Sequence, residues 1–496
     1  MGVNSDMSMA KRALTGTFFV AVNSYLSLFI YFVSGVILAR LLSPADFGVF
    51  RISLFYVDLF GRVKEFGLDK ALIHKQEDLP KAYRTHFTLQ FSLSVLGLLV
   101  SIIFSPIILK FYSPPVLAFI IAISISYIFQ SLSATQRISL EKNLLFSRTA
   151  VIDIASLIIS SLLSVVLAFK GYGALSLVVG YGSNFILSFI FLWALRPWKV
   201  KISEVFLFDK KEIIWFLKFG SFLFVGGLTT FILYKYNDFI LGTFLSVTVL
   251  GFYSRAFNYA QIPTSLITSV VSKVALPTYA ALQNDRAKLS EAFSIVLKNI
   301  VRISFPFSIL LYIVADDFTA FLLGPKWLPM VPIFRILLIY GVFRSIFDDL
   351  GELFTAVGKP KYISFYLLIQ ALVSLLLSPV LTRYFGAQGS ALSLSLVLIV
   401  GVLFSYSLIR KVIVINIVPI FLPTISISLL TLLSFEVVML KFNLDFSNSF
   451  TALFTKGFIF GCFYFFYLLI IDGRSLITDL RYFLSHLTSG KVSVDV

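Results

Sequence analysis

Four basic residues stand where so apolar a chain should carry none: Arg51, Lys235, Arg255 and Arg344 each fall within an apolar stretch of membrane-spanning length. A charge facing lipid at mid-bilayer costs roughly 2.5–3.5 kcal/mol, so four cost on the order of 10–14 kcal/mol, comparable with a protein's whole stability. These groups must therefore face protein or water. Fixed cations in such a place suit an oxyanion, to which they donate several charge-assisted hydrogen bonds. The alternative is internal ion pairing. Asp238 follows Lys235 by three residues and Asp348 follows Arg344 by four, spacings that share a helix face, and Asp58 lies two turns beyond Arg51. The acids Asp58, Asp238, Asp348, Asp349 and Glu436 are then counter-ions, or carriers of protons or sodium.

The rest of the composition says what must position them. The chain has 496 residues, 58% hydrophobic and 13% charged, with a mean hydropathy of +0.94. Soluble domains carry about 25% charged residues. This is a polytopic membrane protein with no room for a large soluble domain. The net charge of +16 is scattered singly between apolar segments, which fits a topology signal and not a nucleic-acid surface. A single cysteine, Cys462, excludes an intrachain disulfide. His74, His86 and His486 lie far apart without metal spacing, and no P-loop or acidic D-x-D pair is present. No cofactor, metal or enzymatic centre is expected. These absences count against a membrane glycosyltransferase or polymerase.

Candidate spans run near 14–38, 45–63, 87–109, 116–134, 149–169 and 173–195, then 217–242, 248–272, 300–323, 331–357, 362–382, 388–409, 416–440 and 452–471. The expectation is an all-α membrane protein with about fourteen transmembrane helices. The first apolar stretch, Leu14–Leu38, is too long for a signal-peptide core and reads as an uncleaved helix. With the N-terminus in the cytoplasm, 27 lysines and arginines fall in cytoplasmic segments and six in outer loops, which places both termini inside. Arg137, Lys298 and Arg302 are among the 27. Trp193, Trp198 and Trp215 fall at cytoplasmic helix ends and Trp327 at an outer one, as expected of interfacial rings. The expected organisation is a six-helix bundle at 1–195, an amphipathic cytoplasmic linker at 196–216, a second bundle at 217–411, two further helices at 412–475 and a tail at 476–496. Pro263, Pro306 and the Gly226-Gly227 pair are candidate hinges.

A repeat relates the bundles. ARLLSPADFGVFRISLFY from 39 aligns with GTFLSVTVLGFYSRAFNY from 242 at an offset of 203, matching Leu42 with Leu245, Ser43 with Ser246, Gly48 with Gly251 and Tyr56 with Tyr259. GALSL at 173–177 aligns with SALSL at 390–394 at an offset of 217. Both offsets span six helices, so the halves share one orientation, as parallel repeats. Ser43 or Pro44 suits a helix start, and the two glycines permit close helix approach. Arg51 and Arg255 are near-equivalent in the repeat, one residue out of register.

The ARLLSPADFG segment, EFGLDKALIHKQED at 65–78, LEKNLLFSR at 140–148, GYGALSLVVG at 171–180 and GKPK at 358–361 resemble polysaccharide flippases of the multidrug/oligosaccharidyl-lipid/polysaccharide exporter superfamily. The resemblance covers roughly residues 10 to 410. It implies two six-helix bundles working by alternating access, and a substrate class: oligosaccharide repeat units on a polyprenyl diphosphate, moved from the inner to the outer leaflet of the cytoplasmic membrane. A polysaccharide polymerase and chain-length machinery are the partners it implies. On this resemblance Arg51, Arg255, Lys235 and Arg344 would hold the diphosphate. A cation-coupled multidrug antiporter is the nearer rival, but such antiporters often use a carboxylate in the first helix, and residues 14–38 carry no charge. Lipid-II-type flippases carry arginines in that helix, which this chain also lacks.

Overall fold

The computed structural model describes residues 2–61, 67–195, 198, 209–442, 446 and 448–488, without the side chains of residues 2–15, 17, 18, 222, 266–274 and 480–488. Most of the expected 196–216 linker, and Lys64, Lys199, Lys201 and Lys491, lie outside the described residues. The described residues are almost wholly helical. In order come α1 (Gly2–Leu41), α2 (Pro44–Gly61), α3 (Leu68–His74), α4 (Leu79–Ile103), α5 (Ser105–Phe111), α6 (Pro114–Lys142), α7 (Phe146–Phe169), α8 (Ala174–Leu195) and α9 (Lys210–Ile240). A π-helical turn at Leu241–Leu245 leads to α10 (Val247–Ala260), α11 (Ile262–Leu282), α12 (Arg286–Ile313) and α13 (Ala315–Leu322). A 3-10 turn at Pro325–Met330 precedes α14 (Val331–Ala356), α15 (Pro360–Ile409), α16 (Val418–Lys441) and α17 (Ser449–Thr488).

Helix starts follow the prolines and aspartates. Proline opens or sits in the first turn of α2, α4, α6, α11, α14, α15 and α16, where its missing N–H costs nothing. Asp209 and Asp285 cap α9 and α12 through their side chains. The amides of Lys288 and Ala287 hold the Asp285 carboxyl below the usual carboxylate range.

Among the described residues, ten helices are long and apolar enough to cross a membrane, or eleven if the Lys210–Ser221 and Leu223–Leu245 arms are joined. That is fewer than the fourteen expected, for three reasons. Helix α15 joins two expected spans: Gly386, at φ 58°, breaks it, and the Thr382–Ser390 and Ser378–Ser393 hydroxyl contacts (2.6 and 2.7 Å) close its two arms into a hairpin. Helix α2 carries three charges in 18 residues, and the expected 248–272 span divides at Gln261 into α10 and α11. Pro263 thus begins a helix instead of kinking one. Pro306 lies inside a continuous α12, and Gly226 and Gly227 lie inside α9.

Contacts divide the chain into two compact units, Met1–Ser254 and Arg255–Val496. The division falls later than the expected linker because α9 packs on α2, α3 and α4. In the first unit α6 packs on α2, α4, α7 and α8, and α1 lies on α7. In the second, α14 is central, packed by α11, α12 and α15, with 67% of its apolar window buried. Helix α16 joins α12, and α17 joins α16 and α13. Trp327 is fully buried in this unit and is not the interfacial ring its position suggested. The interiors are rich in serine, threonine and glycine, while large apolar side chains such as Phe29, Phe169, Leu376, Leu403, Leu440 and Phe458 point outward. Hydrocarbon gives helices no hydrophobic reason to associate, so small and hydroxylated residues make the interfaces.

The two repeat motifs meet reciprocally inside the first unit. Ser43 caps α2, its Oγ accepting from Asp46 N–H at 3.3 Å while Asp46 accepts back from the Ser43 amide at 2.9 Å. Ser246, its partner at offset 203, caps α10 by accepting from Val249 N–H at 3.2 Å. A Cβ on Gly48 would fall 1.6 Å from the Val247 carbonyl oxygen, and one on Gly251 would fall 1.9 Å from that of Pro44. Each glycine therefore faces the repeat equivalent of the residue the other faces, and no side chain fits at the crossing. Gly48→Ala or Gly251→Ala should overpack it by about 1–3 kcal/mol or more. Thermal unfolding of purified protein should show a lowered midpoint for both. Gly227→Ala, where nothing lies within 4 Å, should show no loss. An unchanged midpoint in both crossing variants contradicts the close approach.

Candidate functional site

Helices α2 and α9 bring four of the sequence-selected residues together. Arg51 Nε lies 2.7 Å from Asp238 Oδ2, and Lys235 Nζ lies 3.2 Å from Asp58 Oδ2. The pairing is crosswise between helices. The expected in-helix partners, Lys235 with Asp238 and Arg51 with Asp58, are exchanged, because each carboxylate points across the α2–α9 packing. The Arg51–Asp238 contact is an ion pair off the hydrogen-bond direction, since Arg51 Nε and both Asp238 oxygens lack directed partners. Asp238 is fully buried, while the Arg51 side chain keeps 17% of its surface exposed. Asp58 also accepts from Tyr127 Oη at 3.0 Å, and Tyr127 touches Tyr181 Oη at 3.1 Å, so one carboxylate ties α2 to α6 and α9.

Asp58 stands on the wall of a cavity of about 570 Å³. Its lining comes from the middle of α1, the end of α2, α3, the middle of α4, the start of α7 and the later halves of α6 and α8. The lining runs from mid-helix positions such as Asn23, Gln90 and Asn184 to the helix ends read from the sequence as cytoplasmic, at Gly61, Asp69 and Glu141. Arg137 projects into it from α6 and grips Asp153 of α7 through both terminal nitrogens, one of them at 3.1 Å. Asn23 of α1 donates to the same carboxylate at 3.4 Å. Asp69 accepts from Gln90 Nε2 at 2.7 Å and meets His86 Nε2 at 3.0 Å. The other His86 nitrogen meets Thr135 Oγ1 at 2.8 Å.

In the second unit Arg344 and Asp348 pair at 2.8 Å along α14, the in-helix contact their spacing predicts. Arg255 and Tyr259, one turn apart on α10, share a side-chain hydrogen bond. Asp349 is buried and accepts from Tyr279 Oη at 2.9 Å. Glu436 is exposed on α16, so it is not the buried acid expected; that face of the helix turns outward.

A family model described as "Polysaccharide biosynthesis protein" matches residues 37–332, more than half of the chain. The chain belongs to this family. It is 24% identical over 415 residues to the lipopolysaccharide biosynthesis protein WzxC of Escherichia coli K12, covering 82% of each chain. It is 25% identical over 360 residues to the teichuronic acid biosynthesis protein TuaB of Bacillus subtilis 168, covering 72% of this chain and 74% of that one. Among solved structures, the inward closed conformation of the lipid II flippase MurJ superposes with a TM-score of 0.73 at 20% identity, over 93% of this chain and all of that one. The family match takes in α2, the α2–α9 pairs and the whole cavity apart from its α1 lining.

Sequence reasoning missed Arg137, Asp153, Asp69, Glu141 and Arg302. Arg137 was counted in a loop because the fourth stretch's apolar run fades near residue 134, yet α6 continues to Lys142. The polar spacing of Gln130, Arg137 and Glu141 on one helix face was the available signal. Lys298 and Arg302 were likewise counted as cytoplasmic. Both lie in α12, and a buried Arg302 pairs with Asp472 and Asp479 of α17 at 2.6 and 3.0 Å, with Lys298 on Asp472 at 3.1 Å. This network docks α17 on the second unit. For the α2–α9 pair, Asp238→Asn should strand Arg51 and destabilise the protein by about 3–5 kcal/mol. Arg51→Met with Asp238→Leu should recover most of that loss in an unfolding titration. Equal stability of the single variant and the parent contradicts the pairing.

Proposed function

We propose that this chain is a flippase that moves polyprenyl-diphosphate-linked oligosaccharide repeat units from the inner to the outer leaflet of the cytoplasmic membrane by alternating access. The observation that carries the reading is a set of cations, fixed inside an apolar helical protein, in a member of a polysaccharide biosynthesis family. A diphosphate has the charge and the acceptor oxygens to compete with Asp238 and Asp58 for Arg51 and Lys235. Arg255 and Arg344 of the second unit are further candidates for binding phosphate oxygens, on the family resemblance. The paired state of Asp58, Asp238 and Asp348 supports counter-ion roles for these acids.

The finer topology belongs to this proposal. Helices α1, α2, α4, α6, α7 and α8 form one six-helix repeat. Helices α9, α10 with α11, α12, α14 and the two arms of α15 form the other. Helices α16 and α17 bring the crossings to fourteen, with both termini in the cytoplasm. A polysaccharide polymerase and its chain-length partner would take up the flipped units. The chain would carry no catalytic centre of its own, and no group of three or more His, Cys, Asp or Glu among the described residues could hold a metal.

The test is translocation in proteoliposomes. A polyprenyl-diphosphate trisaccharide is loaded in one leaflet, and arrival in the other is read by a membrane-impermeant glycan oxidant. The protein should raise the rate well above that of protein-free vesicles. Arg51→Ala and Arg255→Ala, matched for amount, should each lower it about tenfold. Protein-free rates with the parent chain sink the transport reading, and full rates in both variants discard the diphosphate assignment.

A further inference from the structure

The cavity in the first unit holds more polar chemistry than the diphosphate reading uses. Four carboxylates line it, Asp58, Asp69, Glu141 and Asp153, against one guanidinium, Arg137. Lys235 adds a positive charge at Asp58. Four negative and two positive charges leave the wall net negative, whether His86 on Asp69 is neutral or protonated. Gln90, only 4% exposed, is a lining residue; its Nε2 serves Asp69, and its Oε1 is buried without a hydrogen-bond partner. A buried amide oxygen left unpaired costs about 1–3 kcal/mol. Asn184 offers both donors and an acceptor from α8, and Tyr31, Tyr127 and Phe185 supply aromatic faces.

Two ligand chemistries suit an acidic, amide-lined hollow: a metal cation and a polyhydroxylated sugar. The cavity's size and the spacing of its acids decide between them. Pockets for organic ligands run to about 300–1,000 Å³, and this one falls inside that range. A hard cation needs six to eight oxygens converging within about 2.6 Å. Among the described residues no three acidic, histidine or cysteine side chains converge closely enough to hold one. Hydroxyl groups, which donate to carboxylates and amide oxygens, fit the wall as built.

We propose that this cavity is the glycan subsite of the transported substrate and that it selects neutral or amino sugars against uronic acids. The proposal rests on the transport reading above and names the part of the substrate that reading leaves open. The carboxylate wall accepts from sugar hydroxyls, and a sugar carboxylate entering the same space meets like charge at reduced dielectric. Selection is therefore by repulsion of the wrong sugar as well as by hydrogen bonds to the right one.

Two readouts test it on the full-length chain. In a Cys462→Ser background, Ala134→Cys places a thiol on the cavity wall, and its labelling by a small water-soluble maleimide is followed in detergent. A neutral hexose trisaccharide should slow labelling at least threefold, and the same trisaccharide with one glucuronic acid should not. In proteoliposomes, a polyprenyl diphosphate bearing the neutral trisaccharide should move at least tenfold faster than its glucuronate analogue. Glu141→Gln with Asp69→Asn should bring that ratio below about three. Equal protection by both sugars, protection by neither, or protection by sodium alone overturns the proposal. If the vesicles move neither lipid while the neutral sugar still protects the thiol, the transport reading falls and the glycan subsite stands.

Discussion

An unpaired charge in hydrocarbon is too costly to keep, and the architecture of this protein follows from that constraint. Among the described residues of the first unit, three deep cations lead to carboxylates on other helices: Arg51 to Asp238, Lys235 to Asp58, Arg137 to Asp153. The same rule docks the last helix on the second unit through Lys298, Arg302, Asp472 and Asp479. Near the other end of α17, Lys456 meets Asp317 of α13 at 2.6 Å. Sixteen residues of helix separate Lys456 from Asp472, about 24 Å, so the two clamps stand close to a membrane core's thickness apart. Between them the contacts are made by packing and hydroxyl groups.

Much of this was legible in the sequence, and the part that was not has a physical reason. The apolar runs gave nearly every helix, because hydrocarbon filters composition residue by residue. The Gly48 and Gly251 motifs foretold a close approach, since only glycine leaves room where two backbones touch. The deep charges were found, but their partners were exchanged, because helical periodicity sees only neighbours on one helix. Arg344 and Asp348 were paired correctly for the same reason: their partnership is local. Arg137 and Arg302 went unrecognised because a charge near the end of an apolar run looks like a loop residue until the helix is seen to continue past it. Glu436 was placed inside because sequence fixes depth along a helix better than it fixes the direction a residue faces.

The functional elements share one design. In the proposed reading, ion pairs that hold helices together would also hold cations ready for an anion; Asp58 belongs both to the α2–α9 pairs and to the cavity wall. A carboxylate released from Lys235 by a diphosphate would then be available to the Tyr127–Tyr181 edge of the cavity. Anion binding at the helix pair and sugar binding in the hollow would thereby meet at a single side chain. The relatives named for lipopolysaccharide and teichuronic acid biosynthesis share the family's overall sequence at about one residue in four.

The central claim is that the α2–α9 ion pairs serve the substrate as well as the fold. The most direct measurement is a charge exchange, Arg51→Asp with Asp238→Arg, scored for thermal stability and for translocation of a polyprenyl-diphosphate trisaccharide. The account predicts that the exchanged pair regains most of the stability lost in either single variant while translocation stays at least tenfold below the parent, because the cation now stands on the buried side of the pair. Recovery of both stability and translocation would contradict it and leave the pair a purely structural one.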